Sequence, residues 1–260
     1  MEMENKKHFV LVHGSGHGAW CWYKLIPLLK LSGHRVTTFD LNSCGINPKQ
    51  VNDVTSFEEY SQPLIEFMAS LHSNEKVVLV GHSFGGFVIS LALEKFSEKI
   101  EVAIYLAAFM PNHIHPPVSV LAQSMKVAPI ENLGDCKFLF GNGPTNPPTS
   151  FKFGPNYLET HLYQNCTKQD IELARMLVRE NGLFMEDFTS ESMLTEEGFG
   201  SVNRVYVVCK DDRAITEEFQ LWMIANSPSK QVKVMERADH MVMLAQPNEV
   251  SILLQEIVNH

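Results

Sequence analysis

Apolar residues along this chain gather into short continuous runs, and the stretches between them carry apolar positions at helical spacing. His8–Val12, Arg35–Phe39, Val77–Val80, Val102–Ala107, Val205–Cys209 and Val232–Met235 read as buried strands. Trp22–Leu31 (closed by Gly33), Phe57–Leu71, Gly86–Phe96, Thr216–Ala225 and Glu249–Val258 read as helices, with Pro63 expected to kink or break the second. Strand and helix alternate, which predicts a largely parallel sheet with right-handed crossovers. The alternation lapses between residues 111 and 195, where prolines cluster (Pro116-Pro117, Pro129, Pro144, Pro147-Pro148, Pro155). Two helices are expected there, Pro155–Cys166 and Lys168–Val178. The second carries Ile171, Leu173, Ala174, Leu177 and Val178 on one face. Because the pattern then resumes, the stretch reads as an insertion. The expected division is a core of residues 1–110 and 196–260 with a cap of residues 111–195, a single domain overall.

Composition narrows the function. At 260 residues, 45% hydrophobic and 20% charged, the chain has the make-up of a soluble globular protein whose core needs no disulfide or metal. A net charge of −9 without any cluster of lysine and arginine argues against nucleic acid and anionic membrane surfaces, and favours a small apolar or weakly polar ligand. Cys21, Cys44, Cys136, Cys166 and Cys209 are widely separated, so reduced thiols and a cytoplasmic location are expected. The N-terminus lacks a signal-peptide apolar region, and no apolar run reaches the ~18 residues of a membrane span. No metal or cofactor is expected.

Candidate chemistry centres on Gly81-His82-Ser83-Phe84-Gly85, a G-x-S-x-G string at a strand–turn–helix crossing. The bland alternative is an ordinary glycine-rich turn. A serine attacks an ester at neutral pH only if a histidine takes its proton, a carboxylate orients that histidine, and N–H groups await the oxyanion. His240, on the loop after the last strand, follows the serine in the required order; His113 and His115 come too early and His161 falls in a cap helix. The acid belongs on the loop after Val205–Cys209, where Asp211 and Asp212 compete. Asp212 is favoured because the apolar Ile215, three residues on, can anchor the loop, and Asp239 reads as loop-shaping. Expected oxyanion donors are the N–H of Phe84, at a helix N-terminus, and that of Ser15 in His13-Gly14-Ser15-Gly16. A phosphate-binding reading of that loop fails, since Ala19 stands where G-x-G-x-x-G needs glycine and no P-loop lysine follows. His82 is a candidate to face substrate.

These residues also carry a resemblance. His8-Phe9-Val10-Leu11-Val12-His13-Gly14 with Gly18-Ala19-Trp20-Cys21-Trp22-Tyr23-Lys24, the serine turn, Ala107-Ala108-Phe109-Met110-Pro111, Phe184-Met185-Glu186-Asp187 and Ala238-Asp239-His240-Met241 resemble the plant methylesterase and hydroxynitrile lyase branch of the α/β-hydrolases. The likeness runs end to end. It implies the α/β-hydrolase fold, a Ser83, Asp212 and His240 triad, and substrate contacts at Gly14, Ser15, His82 and Met241. Lyases of this branch have threonine at the position of Gly14 and lysine at that of Met241, so the resemblance implies an esterase acting on methyl esters of small plant acids or of indole alkaloid aldehydes. Gly45–Gln50 and Asn142–Thr149 look like methylketone synthase, which decarboxylates β-keto acids without the serine and acid kept here. A β-keto acid hydrolase-decarboxylase is therefore one alternative, and a small-molecule receptor on a hydrolase fold another. Phe138, Phe140, Phe151, Phe153, Leu158 and Met185 are candidates for an apolar acyl pocket. A homodimer is possible, as is common among similar proteins.

Overall fold

The computed structural model describes residues 6–191 and 193–259. Its strands are His8–Val12 (β1), Arg35–Thr38 (β2), Val77–His82 (β3), Ile100–Leu106 (β4), Lys137–Leu139 (β5), Ser150–Lys152 (β6), Asn181–Gly182 (β7), Arg204–Cys209 (β8) and Gln231–Met235 (β9). Six of them form one sheet in the order β2-β1-β3-β4-β8-β9, and every neighbouring pair is parallel. The largely parallel sheet expected from the strand–helix alternation is present, in the arrangement that the resemblance implies.

Helices cover both faces, so the central strands read as unbroken apolar runs. Val10, Val12, Leu79 and Tyr206 point into one apolar cluster. It lies beneath the helices Phe57–Ser70 (α2), Gly85–Phe96 (α3) and Glu217–Asn226 (α7). Phe9, Leu11, Val78, Val80 and Val207 point into the other. Leu25–Leu31 (α1) and Pro247–Asn259 (α9) cover that face. Alternate residues of one strand thus feed two separate cores.

Two helix expectations are corrected. The expected Trp22–Leu31 helix is a 3-10 turn, Ala19–Trp22, followed by α1. Pro27 has no N–H to give, so it is tolerated only in the first turn, and the helix starts at Leu25. Conversely, Pro63 does not end α2, which runs unbroken over Phe57–Ser70. A proline there leaves the carbonyl four residues back, that of Glu59, without its helical donor. Asn42 Nδ2 supplies one at 2.7 Å. Ser56 caps the N-terminus by accepting from the Glu59 N–H, and Phe57, Tyr60, Leu64 and Met68 bury the inner face.

Between the adjacent strands β4 and β8 lies the inserted segment. It holds the helices Val118–Val127 (α4), Pro155–Tyr157 (α5) and Lys168–Leu177 (α6), and an antiparallel sheet in the order β5-β6-β7. The expected Pro155–Cys166 helix is α5 followed by a π-helical turn, Leu158–Leu162, that stops before Cys166. Thr167 then caps α6 in a reciprocal pair with Asp170. Val242–Ala245 (α8) closes the loop after β9. Among the described residues no helix is long and apolar enough to cross a membrane.

The order of strands also fixes where a ligand fits. The chain runs outward from β1 to β2 and then returns to place β3 on the other side of β1. At such a reversal the loops leaving the two strands part and open a crevice at their carboxyl ends. The loops concerned are His13–Gly18 and the turn at Ser83.

Candidate active site

Ser83 follows β3 directly and α3 begins two residues later, so the backbone reverses within a single residue. Ser83 takes φ of +53°, a left-handed conformation rare outside glycine. This lifts the side chain out of the sheet, where it is 8% exposed. The facing loop lies hard against it: a Cβ on Gly14 would stand 2.7 Å from Ser83 Cβ and 3.2 Å from its Oγ. Only glycine permits that approach, and it brings the backbone of Gly14 and Ser15 to the serine.

His240 and Asp212 meet at the ends of β9 and β8. His240 Nδ1–H donates to Asp212 Oδ2 at 2.7 Å. The carboxylate can only accept, which fixes the proton on Nδ1 and leaves Nε2 with its lone pair. Asp212 Oδ1 accepts from the N–H groups of Ala214 and Ile215, both at 2.8 Å. Ile215 is buried, as the sequence led one to expect of an anchor. Asp211 faces solvent, and among the described residues its hydrogen bonds are those of its backbone, with Ala238 and Gln164. The structure therefore joins Asp212, not Asp211, to the histidine. Asp239 shapes the loop: its Oδ2 accepts from the Asn165 N–H at 2.9 Å. Burial pushes the Asp239 carboxyl up to about 6. Among the described residues no hydrogen bond joins Ser83 Oγ to His240.

Three further histidines stand close by, each held below the usual histidine range by burial. His82 lies against His240 with ring centroids 4.7 Å apart, and its Nε2–H donates to the His240 carbonyl at 2.8 Å. Burial holds its ring well below the usual histidine range, and the neighbouring His240 lowers it further. His82 therefore braces the loop of His240 from below. His13 donates from Nδ1 to the Gly14 carbonyl at 2.8 Å and accepts from the Leu41 N–H at 3.1 Å. His17 donates from Nδ1 to the Ser15 carbonyl at 2.8 Å and accepts from Tyr163 at 2.7 Å. Burial pushes the His17 ring down to about 3.

The remaining expected residues divide. The N–H groups of Ser15 and Phe84 have no acceptor within the described residues. Met241 is fully buried in the apolar cluster on the α1 and α9 side, with its N–H on the Leu162 carbonyl; its observed place is one of packing. Among the expected pocket residues, Phe140 is 47% exposed. Phe138 stacks on Phe151, and Phe153 stacks on Tyr157. Leu158 is buried in the cluster around Tyr163.

Phe184 was not singled out by the sequence. It sits at φ of +51°, packs on Tyr60 at 5.2 Å, and Tyr60 in turn packs on Phe84 at 5.9 Å. Phe184 and Met185 also line a cavity of about 540 Å³ with Val54, Pro148 and Gly182. The signal lay in Phe184-Met185-Glu186-Asp187, but nothing in a sequence marks an aromatic residue held in left-handed backbone. Among the described residues no group of three or more His, Cys, Asp or Glu side chains is arranged to hold a metal ion.

Residues 9–251 match the family model of the alpha/beta hydrolases. The chain belongs to the α/β-hydrolase family. Among its relatives within that family, Methylesterase 10 of Arabidopsis thaliana is 46% identical over 99% of this chain and 94% of its own length. The solved structure of polyneuridine aldehyde esterase, a protein of Rauvolfia serpentina, superposes with a TM-score of 0.93 at 42% identity, covering 98% of this chain and 100% of that one. Tomato Methylketone Synthase I, solved with 2-tridecanone, superposes with a TM-score of 0.91 at 43% identity, covering 98% of each chain. This α/β-hydrolase thus shares the branch that its motifs resemble.

Proposed function

We propose that the chain is a serine esterase that hydrolyses methyl esters of small carboxylic acids through an acyl-enzyme. The observation that carries this reading is the 2.7 Å bond between His240 and Asp212 at the crevice that also holds Ser83 on its left-handed turn. Ser83 Oγ attacks the ester carbonyl as His240 Nε2 takes its proton. Asp212 holds the imidazole in the needed tautomer and stabilises its charged form. Ester binding draws Oγ and Nε2 to hydrogen-bonding distance, a contact often loose in an empty site. The N–H groups of Ser15 and Phe84 receive the oxyanion, and the absence of a side chain at Gly14 keeps that approach open. Collapse of the tetrahedral intermediate expels methoxide, which leaves as methanol with the proton from His240. Water, activated by the same histidine, then attacks the acyl carbon and frees the acid.

Two comparisons support the substrate class: the relative named as a methylesterase and the superposition on polyneuridine aldehyde esterase. Phe184 and Met185, which line the cavity of about 540 Å³, suit an apolar acyl group. The segment 111–195 serves as the cap over it. All five cysteines are free thiols, which suits a reducing cytoplasm.

The likeness to Methylketone Synthase I favours one second reading, loss of carbon dioxide from a β-keto acid released in the site. Methanol release from a panel of methyl esters (salicylate, jasmonate, indole acetate and a β-keto ester) tests both. Wild type is expected to release methanol and Ser83→Ala to release almost none. Methylketone formed from free β-keto acid at equal rates by both proteins, with no ester cleaved by either, overturns the esterase reading in favour of decarboxylation.

A further inference from the structure

The loop expected to supply the second oxyanion donor is held by more than its own residues. Gly16, next to Ser15, is paired on both sides with the inserted segment. Its N–H donates to Asn181 Oδ1 at 3.0 Å, and its carbonyl accepts from the Arg179 N–H at 2.8 Å. Gly16 has φ of +65°, and a Cβ there would stand 2.5 Å from the Arg179 carbonyl oxygen, so the two backbones touch without room for a side chain. Asn181 is fully buried. Its amide orientation is fixed by chemistry, since a backbone N–H can only donate and must therefore face the oxygen. The same oxygen accepts from Tyr60 at 3.0 Å and lies 3.7 Å from Cys44 Sγ, while Nδ2 donates to the Gly182 carbonyl at 2.7 Å. Arg179 adds a second clamp: its guanidinium donates to the carbonyls of Asn47 and Lys49, both at 2.7 Å. The loop so held returns to the first one through the Gly45 N–H on the His17 carbonyl at 3.1 Å.

We infer that Asn181 is a positioning residue for catalysis: its side-chain oxygen, held by Gly16 and Tyr60, sets the backbone of Ser15 so that its N–H meets the developing oxyanion. The inserted segment then acts on the transition state as well as on the choice of acyl group. This inference rests on the esterase reading. A buried oxygen that gathers three donors is costly to remove, because each donor is left without a partner in a dry interior. The turn itself is closed by the His17 N–H on the Gly14 carbonyl at 3.3 Å, but the N–H and carbonyl of Gly16 are both paired with the inserted segment, so the turn shifts when Asn181 is lost.

The test compares wild type with Asn181→Leu, which keeps the branched shape and removes the acceptor. Steady-state methanol release is measured beside inhibition by two probes. One is a trifluoromethyl ketone, which forms a tetrahedral oxyanion on the serine. The other is the free acid product, which does not. Asn181→Leu is expected to lower kcat about tenfold and weaken the ketone by a similar factor. KM and product inhibition should stay within about twofold. If Asn181→Leu does not fold, Asn181→Ser, whose oxygen is too short to reach Gly16, carries the same expected signature. Unchanged kcat, or equal losses for ketone and product, overturns the inference while leaving the esterase reading intact. Absence of turnover in wild type would instead overturn that reading itself.

Discussion

The two N–H groups proposed to receive the oxyanion, those of Phe84 and Ser15, rest on very different supports. Phe84 opens α3, whose residues Gly85 to Leu93 are all buried, and although its ring packs on Phe57, Tyr60 and Phe188, its backbone is set locally by the Gly86 N–H on the Ser83 carbonyl and the Phe87 N–H on its own carbonyl. Ser15 lies on a loop whose shape depends on Asn181 and Arg179, more than 160 positions away, and on Tyr163 through His17. One half of the site is therefore set by a local motif, and the other by a contact between the core and the segment inserted into it. Local geometry survives most distant changes. A loop braced from afar inherits every weakness of its brace.

That difference orders the expected effects of substitution. Ser83→Ala removes the nucleophile and should lower kcat about 10⁴-fold or more, read as methanol release at saturating ester. Asp212→Asn should follow at about 10⁴-fold, because the amide leaves the histidine in the wrong tautomer, while Asp211→Asn stays within about twofold. A small effect of Asp212→Asn would break the reading of the triad at once.

The local half is also the legible half. The strand run into Gly81-His82-Ser83-Phe84-Gly85, the order of serine, acid and histidine, and the anchoring Ile215 could all be read from spacing. Six strands of the main sheet were anticipated to within a residue or two, because buried parallel strands leave continuous apolar runs. In the inserted segment β5, β6 and β7 are two or three residues long, too short for a period to register, and α4 went unseen among prolines. Pro63 misled because its compensation, the Asn42 side chain, lies outside the helix it would have broken. Asn181 was invisible for the same reason: its partners Gly16, Tyr60 and Cys44 are distant in sequence and carry no shared pattern.

Smaller effects sharpen the picture at other places where the chain reaches across itself. Asp239 joins the loop of His240 to Asn165 of the insert. Its carboxyl is raised to about 6, so the native state holds that proton more tightly than the unfolded chain does. Its contribution to stability is complete below about pH 4 and is lost as pH rises through about 6; two units amount to about 3 kcal/mol. Urea unfolding at both ends of that window should show this fall in wild type, and Asp239→Asn should abolish it. A fall of equal size in the variant would assign the pH dependence elsewhere. Asn42→Ala, which strands the Glu59 carbonyl of α2, should cost about 1–3 kcal/mol in the same assay and leave KM unchanged.

The most direct measurement follows the acyl group onto the serine. Rapid mixing of the protein with a cleaved methyl ester, acid quench and intact-mass analysis should reveal an adduct of the acyl mass on Ser83, formed together with one equivalent of methanol. The adduct should be absent from Ser83→Ala. Methanol released at the wild-type rate by Ser83→Ala, or released by wild type with the acyl group found on another residue, would contradict the account.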